Sequence, residues 1–304
     1  MRVATIDIGT NTVLLLVAEK RADGALAPVE EHATITRLGQ GVDETRALAP
    51  EAIARTNGCL DRYAEIVQRL GASRVAVVGT SAMRDAGGGD AVRAHVKAKL
   101  GVEARTISGE EEARLTFRGA LSGIEVASPR VVVFDIGGGS TEIVHGDRVT
   151  RAIDFAKSYD VGSVRLTERF VRSDPPSDDE RKAIYDAARG ALASLPALPS
   201  DAPPVGIAGT MTTLAAVSLE MDPYDAARVH GLELSKQEIE RVVKRLASLP
   251  QDERKKLPGL EPKRADVIVA GGLVALAFLD HLGASSVVVS DRGVRWGLAE
   301  ELAI

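Results

Sequence analysis

Val133-Phe134-Asp135-Ile136-Gly137-Gly138-Gly139-Ser140-Thr141-Glu142 reads as an apolar strand that meets an aspartate, a run of glycines and small hydroxyl residues, and a second strand. The same order stands near the start of the chain, in Ala4-Thr5-Ile6-Asp7-Ile8-Gly9-Thr10-Asn11-Thr12-Val13. Asp7 and Asp135 lie 128 positions apart, close to one domain at ~150 residues per domain. A repeat at that spacing predicts two related domains that face each other, each contributing one turn to a shared cleft.

Glycine lets a backbone approach a ligand closely because no Cβ intervenes. Successive N–H groups in such a turn form a concavity that binds anions, phosphate above all. The hydroxyls of Thr10, Thr12, Ser140 and Thr141 are expected to add donors. Asp7 and Asp135, at the strand ends, are placed to hold Mg²⁺ directly or through water, because hard cations take oxygen ligands. The alternative is a pair of tight hairpins with structural glycines, and the matched aspartates argue against it. The spacing of a dinucleotide fingerprint is absent, and strand residues rather than a helix follow each turn. The Gly-Lys-Ser/Thr of a P-loop is absent as well.

The rest of the chain alternates strand and helix patterns, which predicts an α/β protein. Val13–Val17 is a continuous apolar run of strand length, expected to be buried on both faces. Apolar residues at helical spacing from Pro50 to Leu70, stopped by Gly71, predict a helix. Strands are expected at Val75–Val78, Val102–Ile107 and Val205–Ile207, with helices at Ala91–Leu100 and from Ser108 to about Leu121. Capping boxes are expected at Ser108/Glu111, Ser177/Glu180 and Ser235/Glu238. The proline-rich stretch Leu195–Pro204 reads as a loop rather than a linker.

Composition excludes several classes. The 304 residues carry 43 acidic and 38 basic side chains, a net charge of −5, with 45% hydrophobic residues. That balance fits neither a disordered chain nor a basic nucleic-acid coat. Cys59 is the one cysteine, which precludes an internal disulfide, and it is expected to pack on a helix. No signal peptide is evident, and the apolar stretch Val267–Leu282 is too short to span a bilayer. A soluble, cytoplasmic protein is the expectation, with no nucleic-acid or membrane partner.

The paired turns resemble the phosphate loops of the actin, sugar-kinase and Hsp70 ATPase superfamily. Within it the chain is similar to the exopolyphosphatase/guanosine pentaphosphate phosphatase family. The likeness runs from end to end: Asp7–Thr12, Thr80-Ser81-Ala82-Met83-Arg84, Ser108-Gly109-Glu110-Glu111-Glu112-Ala113-Arg114 and Asp135–Glu142. It continues through Gly162-Ser163-Val164-Arg165-Leu166-Thr167-Glu168, Gly209-Thr210-Met211-Thr212-Thr213-Leu214-Ala215, Arg264-Ala265-Asp266 and Ser290-Asp291-Arg292-Gly293-Val294-Arg295. The resemblance implies two actin-like, ribonuclease H-like α/β lobes with a cleft between them. The lobes are expected at 1–125 and 126–304, with the final helix folding back onto the first. It implies hydrolytic removal of terminal phosphate from inorganic polyphosphate, or from pppGpp, with Mg²⁺ or another divalent cation, and a homodimer, which is common in the family. Longer members carry a C-terminal helical extension, so the short, two-domain form is expected here. After Arg84 this chain has Asp85-Ala86-Gly87-Gly88-Gly89 where many members have an Ala-Arg-Asn-like stretch, which suggests a loop of shorter reach or greater mobility.

Hydrolysis of a phosphoanhydride requires an in-line water, neutralised phosphate charge and a stabilised leaving oxygen. Glu110, Glu111, Glu112 and Glu142 are the candidate carboxylates. Glu111 has a competing role in the cap, whereas Glu112 matches the family's catalytic glutamate and is preferred as base. Glu142 and Asp135 are expected to position water or metal, with Asp7 as a further metal ligand; an exposed strand position is the alternative for Glu142. The phosphate-binding set is Thr10, Asn11, Thr12, Arg84, Gly137, Gly138, Gly139, Ser140, Thr141, Gly209, Thr210 and Arg264. Gly209-Thr210 is expected to open a helix with free N–H groups, a ready anion site, or else a well-capped helix. The basic stretch from Arg254-Lys255-Lys256 to Lys263-Arg264 either guides a polyanion or forms a solvated surface. His230 and the other histidines show no metal-ligand spacing, and Trp296 reads as core. A non-catalytic polyphosphate or alarmone binder, and a sugar kinase or Hsp70-like ATPase, are the rival readings.

Overall fold

The computed structural model describes residues 1–199 and 201–304. Ser200, inside the expected Leu195–Pro204 loop, lies outside the described residues. The chain divides into two compact units, Met1–Gly119 with Val294–Ile304, and Ala120–Gly293. The first thus ends a few residues before position 125, and the last helix belongs to it.

The first unit is built on a five-stranded sheet of β1 (Arg2–Ile8), β2 (Thr12–Lys20), β3 (Leu26–Ile35), β4 (Arg74–Gly79) and β5 (Ala104–Thr106). Their order is β3-β2-β1-β4-β5, with β1, β2 and β3 antiparallel and β1, β4 and β5 parallel. Parallel neighbours need crossovers, and the helices α1 (Pro50–Arg69) and α2 (Gly89–Leu100) lie in those connections. α1 opens on a proline, buries Cys59, Leu60, Tyr63 and Val67, and is followed by Gly71 at φ +65°. Successive strand residues point to opposite faces. Ala4, Ile6 and Ile8 therefore join α1 in one core. Val3 packs on the other face against Trp296 and Ala299 of the last helix, and there Thr5 Oγ1 donates to Arg295 O at 2.8 Å. The run Val13–Val17 in β2 is likewise buried on both sides, as expected, with Val13, Leu15 and Val17 in the first core and Leu16 on the face of the last helix.

The second unit repeats this plan. Its strands are β6 (Arg130–Ile136), β7 (Thr141–Asp147), β8 (Ile153–Tyr159), β9 (Pro204–Ile207), β10 (Glu233–Ser235) and β11 (Ser286–Val289), in the order β10-β11-β9-β6-β7-β8. Taken from β8 through β7, β6 and β9 to β11, this reproduces the first sheet strand for strand, and the antiparallel β10 extends it. The helices α3 (Gly109–Ala120), α4 (Ser163–Phe170), α5 (Asp178–Leu192), α6 (Ala208–Ser218), α7 (Lys236–Ser248), α8 (Ile268–Leu282) and α9 (Val294–Leu302) complete the chain, apart from helical segments of five residues or fewer. α8 is apolar all round because it is enclosed in the second core, with Phe278 against Phe134 at 4.5 Å between ring centroids. Among the described residues, no helix is long and apolar enough to cross a membrane.

Only one of the three expected capping boxes closes in both directions. Ser177 and Glu180 exchange both hydrogen bonds. Ser108 Oγ and Ser235 Oγ accept from Glu111 and Glu238 N–H at 3.1 Å, but the glutamates turn to Arg105 and Arg241. A cationic partner within reach wins the carboxylate from a backbone N–H, because a charged hydrogen bond is about twice as strong.

Candidate active site

In each unit the residues singled out from the sequence gather at one edge of the sheet, the carboxyl ends of its parallel strands. Asp7 and the turn after it close β1, Thr80–Arg84 follows β4, and Ser108–Glu112 follows β5. Asp135 and the second turn close β6, Gly209-Thr210 follows β9, and Ser290-Asp291 follows β11. This is the edge where open α/β sheets bind ligands, since loops there alternate with helix N-termini.

The two turns share one geometry. Ile8 pairs with Val13 and Ile136 with Thr141 as the last rungs of their hairpins. Gly9 N–H donates to Thr12 O at 3.0 Å, and Gly137 N–H donates to Ser140 O at 3.0 Å. The back of the first turn is tied to the loop after β3, where Gly39 N–H reaches Thr10 O at 2.8 Å and the N–H groups of Thr36 and Arg37 both reach Asn11 O at 3.0 Å. Arg55 of α1 holds that loop through Thr36 O at 2.8 Å. Arg37 sits there at φ +54°, a conformation rare outside glycine. Asn11 is buried, and its Nδ2 has no hydrogen-bond partner among the described residues. A buried donor without an acceptor is costly, and an anion in the turn would satisfy it.

The back of the second turn is tied to the start of α4. Ser163 N–H donates to Gly137 O at 2.9 Å, and the N–H groups of Val164 and Arg165 donate to Gly138 O at 2.9 and 3.0 Å. Arg165 Nε donates to Gly139 O at 2.6 Å. A Cβ on Gly162 would lie 2.6 Å from the carbonyl carbons of Gly138 and Gly139, so only glycine lets the two segments meet. Gly162 and Arg165 were carried by the resemblance without a role; nothing local in the sequence shows that they brace a turn more than twenty residues upstream. Thr36–Gly39 and Ser158 were likewise not singled out.

The candidate hydroxyls divide. Thr141 Oγ1 donates to Val161 O at 2.5 Å, and Thr210 Oγ1 donates to Ile136 O at 3.0 Å. A hydroxyl has one hydrogen to donate, so both are committed inside the fold and brace the turn instead of donating to a phosphate. Thr10 and Ser140 are buried at the turns, and Thr12 is half-buried.

Helical geometry separates the three consecutive glutamates of α3. Glu110 faces solvent, Glu111 is half-buried and bonded to Arg105 at 3.0 Å, and Glu112 points inward. Glu112 is 6% exposed and accepts from Arg84 Nη1 at 3.0 Å. Arg84 Nη1 also reaches Ile107 O at 3.3 Å, which ties the segment after β4 to the one after β5. The glycines after Arg84 are not loose: Gly87 N–H bonds Arg46 O at 3.0 Å, and Gly87 O accepts from Leu48 N–H at 2.9 Å. Glu142 is buried rather than exposed, and accepts from Ser158 Oγ at 2.6 Å.

Asp135 and Glu142 are directly opposed across β6 and β7. Side chains so paired have Cβ atoms ~5 Å apart, and two like charges there repel. A divalent cation suits such a pair, and Mg²⁺ takes one or two carboxylates with water and substrate phosphate supplying the rest. Among the described residues there is no cluster of three or more His, Cys, Asp or Glu that would cage a metal by protein groups alone. The donor set thus fits a cation shared with a phosphorylated substrate.

Arg264 lies across Gly209: a Cβ at that position would run into its guanidinium. The start of α6 therefore presents its N–H groups together with a fixed cation. Burial lowers the pKa of Arg264 below the usual arginine value, with Glu261 and Tyr224 opposing the shift. The basic stretch before it does not act as a unit. Arg254 is buried and bonds Leu249 O, Ala265 O and Asp174, while Lys255 and Lys256 pair with Asp252 and Glu253 one helical turn back. Toward the end of the chain, Ser290 Oγ donates to Ala120 O at 2.9 Å and His230 Nδ1 meets Asp291 at 2.9 Å. Arg295 and Trp296 Nε1 both donate to Glu31. These residues hold the fold together.

Similarity to known proteins extends over nearly the whole chain. The model of the Ppx/GppA phosphatase family matches residues 16–303. The chain is 41% identical to Exopolyphosphatase 2 of Mycobacterium tuberculosis, over 99% of this chain and 98% of that protein. The crystal structure of the Aquifex aeolicus member of the Ppx/GppA family superposes with a TM-score of 0.83 at 34% identity, covering 99% of this chain and 97% of that one. An exopolyphosphatase from Cytophaga hutchinsonii, 24% identical, shares the fold at a TM-score of 0.89 over 100% and 98% of the two chains. The chain belongs to the Ppx/GppA phosphatase family and has its two-domain, actin-like α/β fold.

Proposed function

We propose that this protein is an exopolyphosphatase, which removes terminal orthophosphate from inorganic polyphosphate by attack of water on the end phosphorus. The observation that carries the reading is the duplicated Asp-Ile-Gly turn, closed by the same hydrogen bond and braced from behind in both units. The name of the Mycobacterium tuberculosis relative supports the substrate. Backbone N–H groups of the turns, Asn11 Nδ2, Arg84 and Arg264 hold phosphate oxygens. Glu112 orients the water and takes its proton as the new P–O bond forms. The anhydride P–O bond breaks, and the electron pair leaves on the oxygen of the shortened polymer. Mg²⁺ held by the opposed Asp135 and Glu142, with water and substrate phosphate completing its shell, would neutralise phosphate charge.

Orthophosphate release with Mg²⁺ from long-chain polyphosphate, pppGpp and ATP tests the reading. The expected result is fastest turnover of polyphosphate. Preference for pppGpp would make the protein a 5′-phosphatase that forms ppGpp. Binding of either without turnover would make it a regulator, and release from ATP alone would make it an ATPase.

A further inference from the structure

We infer that Arg165 is a positioning residue for the second phosphate turn, acting through the carbonyl of Gly139 to aim the N–H of Ser140. This rests on the phosphate-binding reading of the turn. In a trans peptide the C=O and the following N–H point in opposite directions. The carbonyls of Gly137, Gly138 and Gly139 all accept from the α4 side. The N–H groups of Gly138, Gly139 and Ser140 are consequently turned the other way, in succession, which is the arrangement that binds an anion. Three glycines in a row would otherwise let each peptide rotate freely.

The division of labour explains why a side-chain donor is needed. The first N–H groups of a helix lack partners within it. In α4 those of Ser163, Val164 and Arg165 go to Gly137 and Gly138, and the next, Leu166, bonds Gly162 O at 3.0 Å. Backbone donors are thus used up before Gly139, and a side chain supplies the last bond. Arg165 is 8% exposed, and burying a guanidinium is costly unless its donors are matched. In the first turn backbone N–H groups of Thr36, Arg37 and Gly39 take up the carbonyls of Asn11 and Thr10.

Arg165→Gln and Arg165→Met separate this role from others. Glutamine Nε2 stands at the same bond distance from the backbone as arginine Nε, so it keeps the donor without the charge, and methionine keeps the length with neither. Loss of one preorganised donor costs about 10²–10³ in kcat; a donor present but misaimed is expected to cost ~10–100-fold, mostly in kcat rather than KM, in Arg165→Met. Arg165→Gln is expected to retain most of the activity per folded molecule. Equal losses in both variants, or wild-type kcat in Arg165→Met, would overturn the assignment. Should Arg165→Met fail to fold, Arg165→Gln decides by itself: retention of kcat supports the bond, and a loss of ~10-fold or more refutes it. Titration with inorganic pyrophosphate and Mg²⁺, followed by the amide resonances of Gly138, Gly139 and Ser140, is independent of turnover. The three signals should shift in wild type and Arg165→Gln, with that of Ser140 attenuated in Arg165→Met. A wild-type protein that shifts these signals but releases no phosphate would refute the exopolyphosphatase reading alone; one that shifts none of them would refute the role of Arg165.

Discussion

Replacing Glu112 by glutamine should abolish turnover while leaving the protein folded. The side chain is buried and accepts a charged hydrogen bond from Arg84 at 3.0 Å. Such bonds contribute about 1.5–3 kcal/mol, and since Arg84 keeps 25% of its side-chain surface in water the lower half of that range applies. A loss of ~1.5–2.2 kcal/mol in a domain of this size lowers the melting temperature by roughly 3–9 °C. Removing a positioned base costs about 10²–10⁴ in rate. Glu111→Gln is the matched control one residue away. Its carboxylate pairs with the half-exposed Arg105, worth at most ~1 kcal/mol, and its part in the cap is its backbone N–H, which the variant keeps. Initial rates of orthophosphate release from polyphosphate, with melting curves for all three proteins, are the assay. Wild-type turnover in Glu112→Gln, or an equal loss in Glu111→Gln, would refute the assignment of the base.

Gly209→Ala should displace the Arg264 guanidinium from the start of α6, because the new methyl takes its place; KM for polyphosphate should rise with little change in melting temperature, and an unchanged KM would show that Arg264 does not hold substrate. In Gly297→Ala the added Cβ would stand 2.8 Å from Leu115 C, so α9 must move off α3; overpacking of that kind costs ~1–3 kcal/mol, read as a lower denaturant midpoint. Glu180 accepts from Ser173 Oγ and from the N–H groups of Ser177, Arg172 and Ser173, which pull its pKa from 4.5 down to about 2. A carboxylate with a lowered folded-state pKa stabilises above its unfolded pKa and loses that contribution as pH falls through the folded one. Wild type should therefore lose more stability than Glu180→Gln between about pH 4.5 and pH 2, and parallel acid-unfolding curves would contradict the reasoning.

Much of the site was legible in the sequence because its marks are local. An aspartate at a strand end, glycines that tolerate close approach and a following strand occur within ten residues, and the repeat at Asp7 and Asp135 doubles the signal. Helix α1 was equally plain, since a proline start, a 3.6-residue apolar period and a stopping glycine all lie on one segment. Glu112 was less so. Three adjacent glutamates look alike until the helix is placed on its sheet, and then one faces out, one meets Arg105 and one meets Arg84.

What the sequence alone determined is the α/β alternation, the two turns and the identity of the polar residues at the strand ends, because each depends on neighbours a few positions away. The tertiary structure alone decided which of those groups remain available. Thr141 and Thr210 donate to carbonyls that come from elsewhere in the chain, Arg254 turns inward while Arg264 lies over a glycine 55 positions earlier, and α4 grips the second turn from behind. A hydroxyl or guanidinium has the same donors in any sequence. Whether they face a ligand or a carbonyl depends on which segments pack beside them, and burial forces every such donor to find a partner.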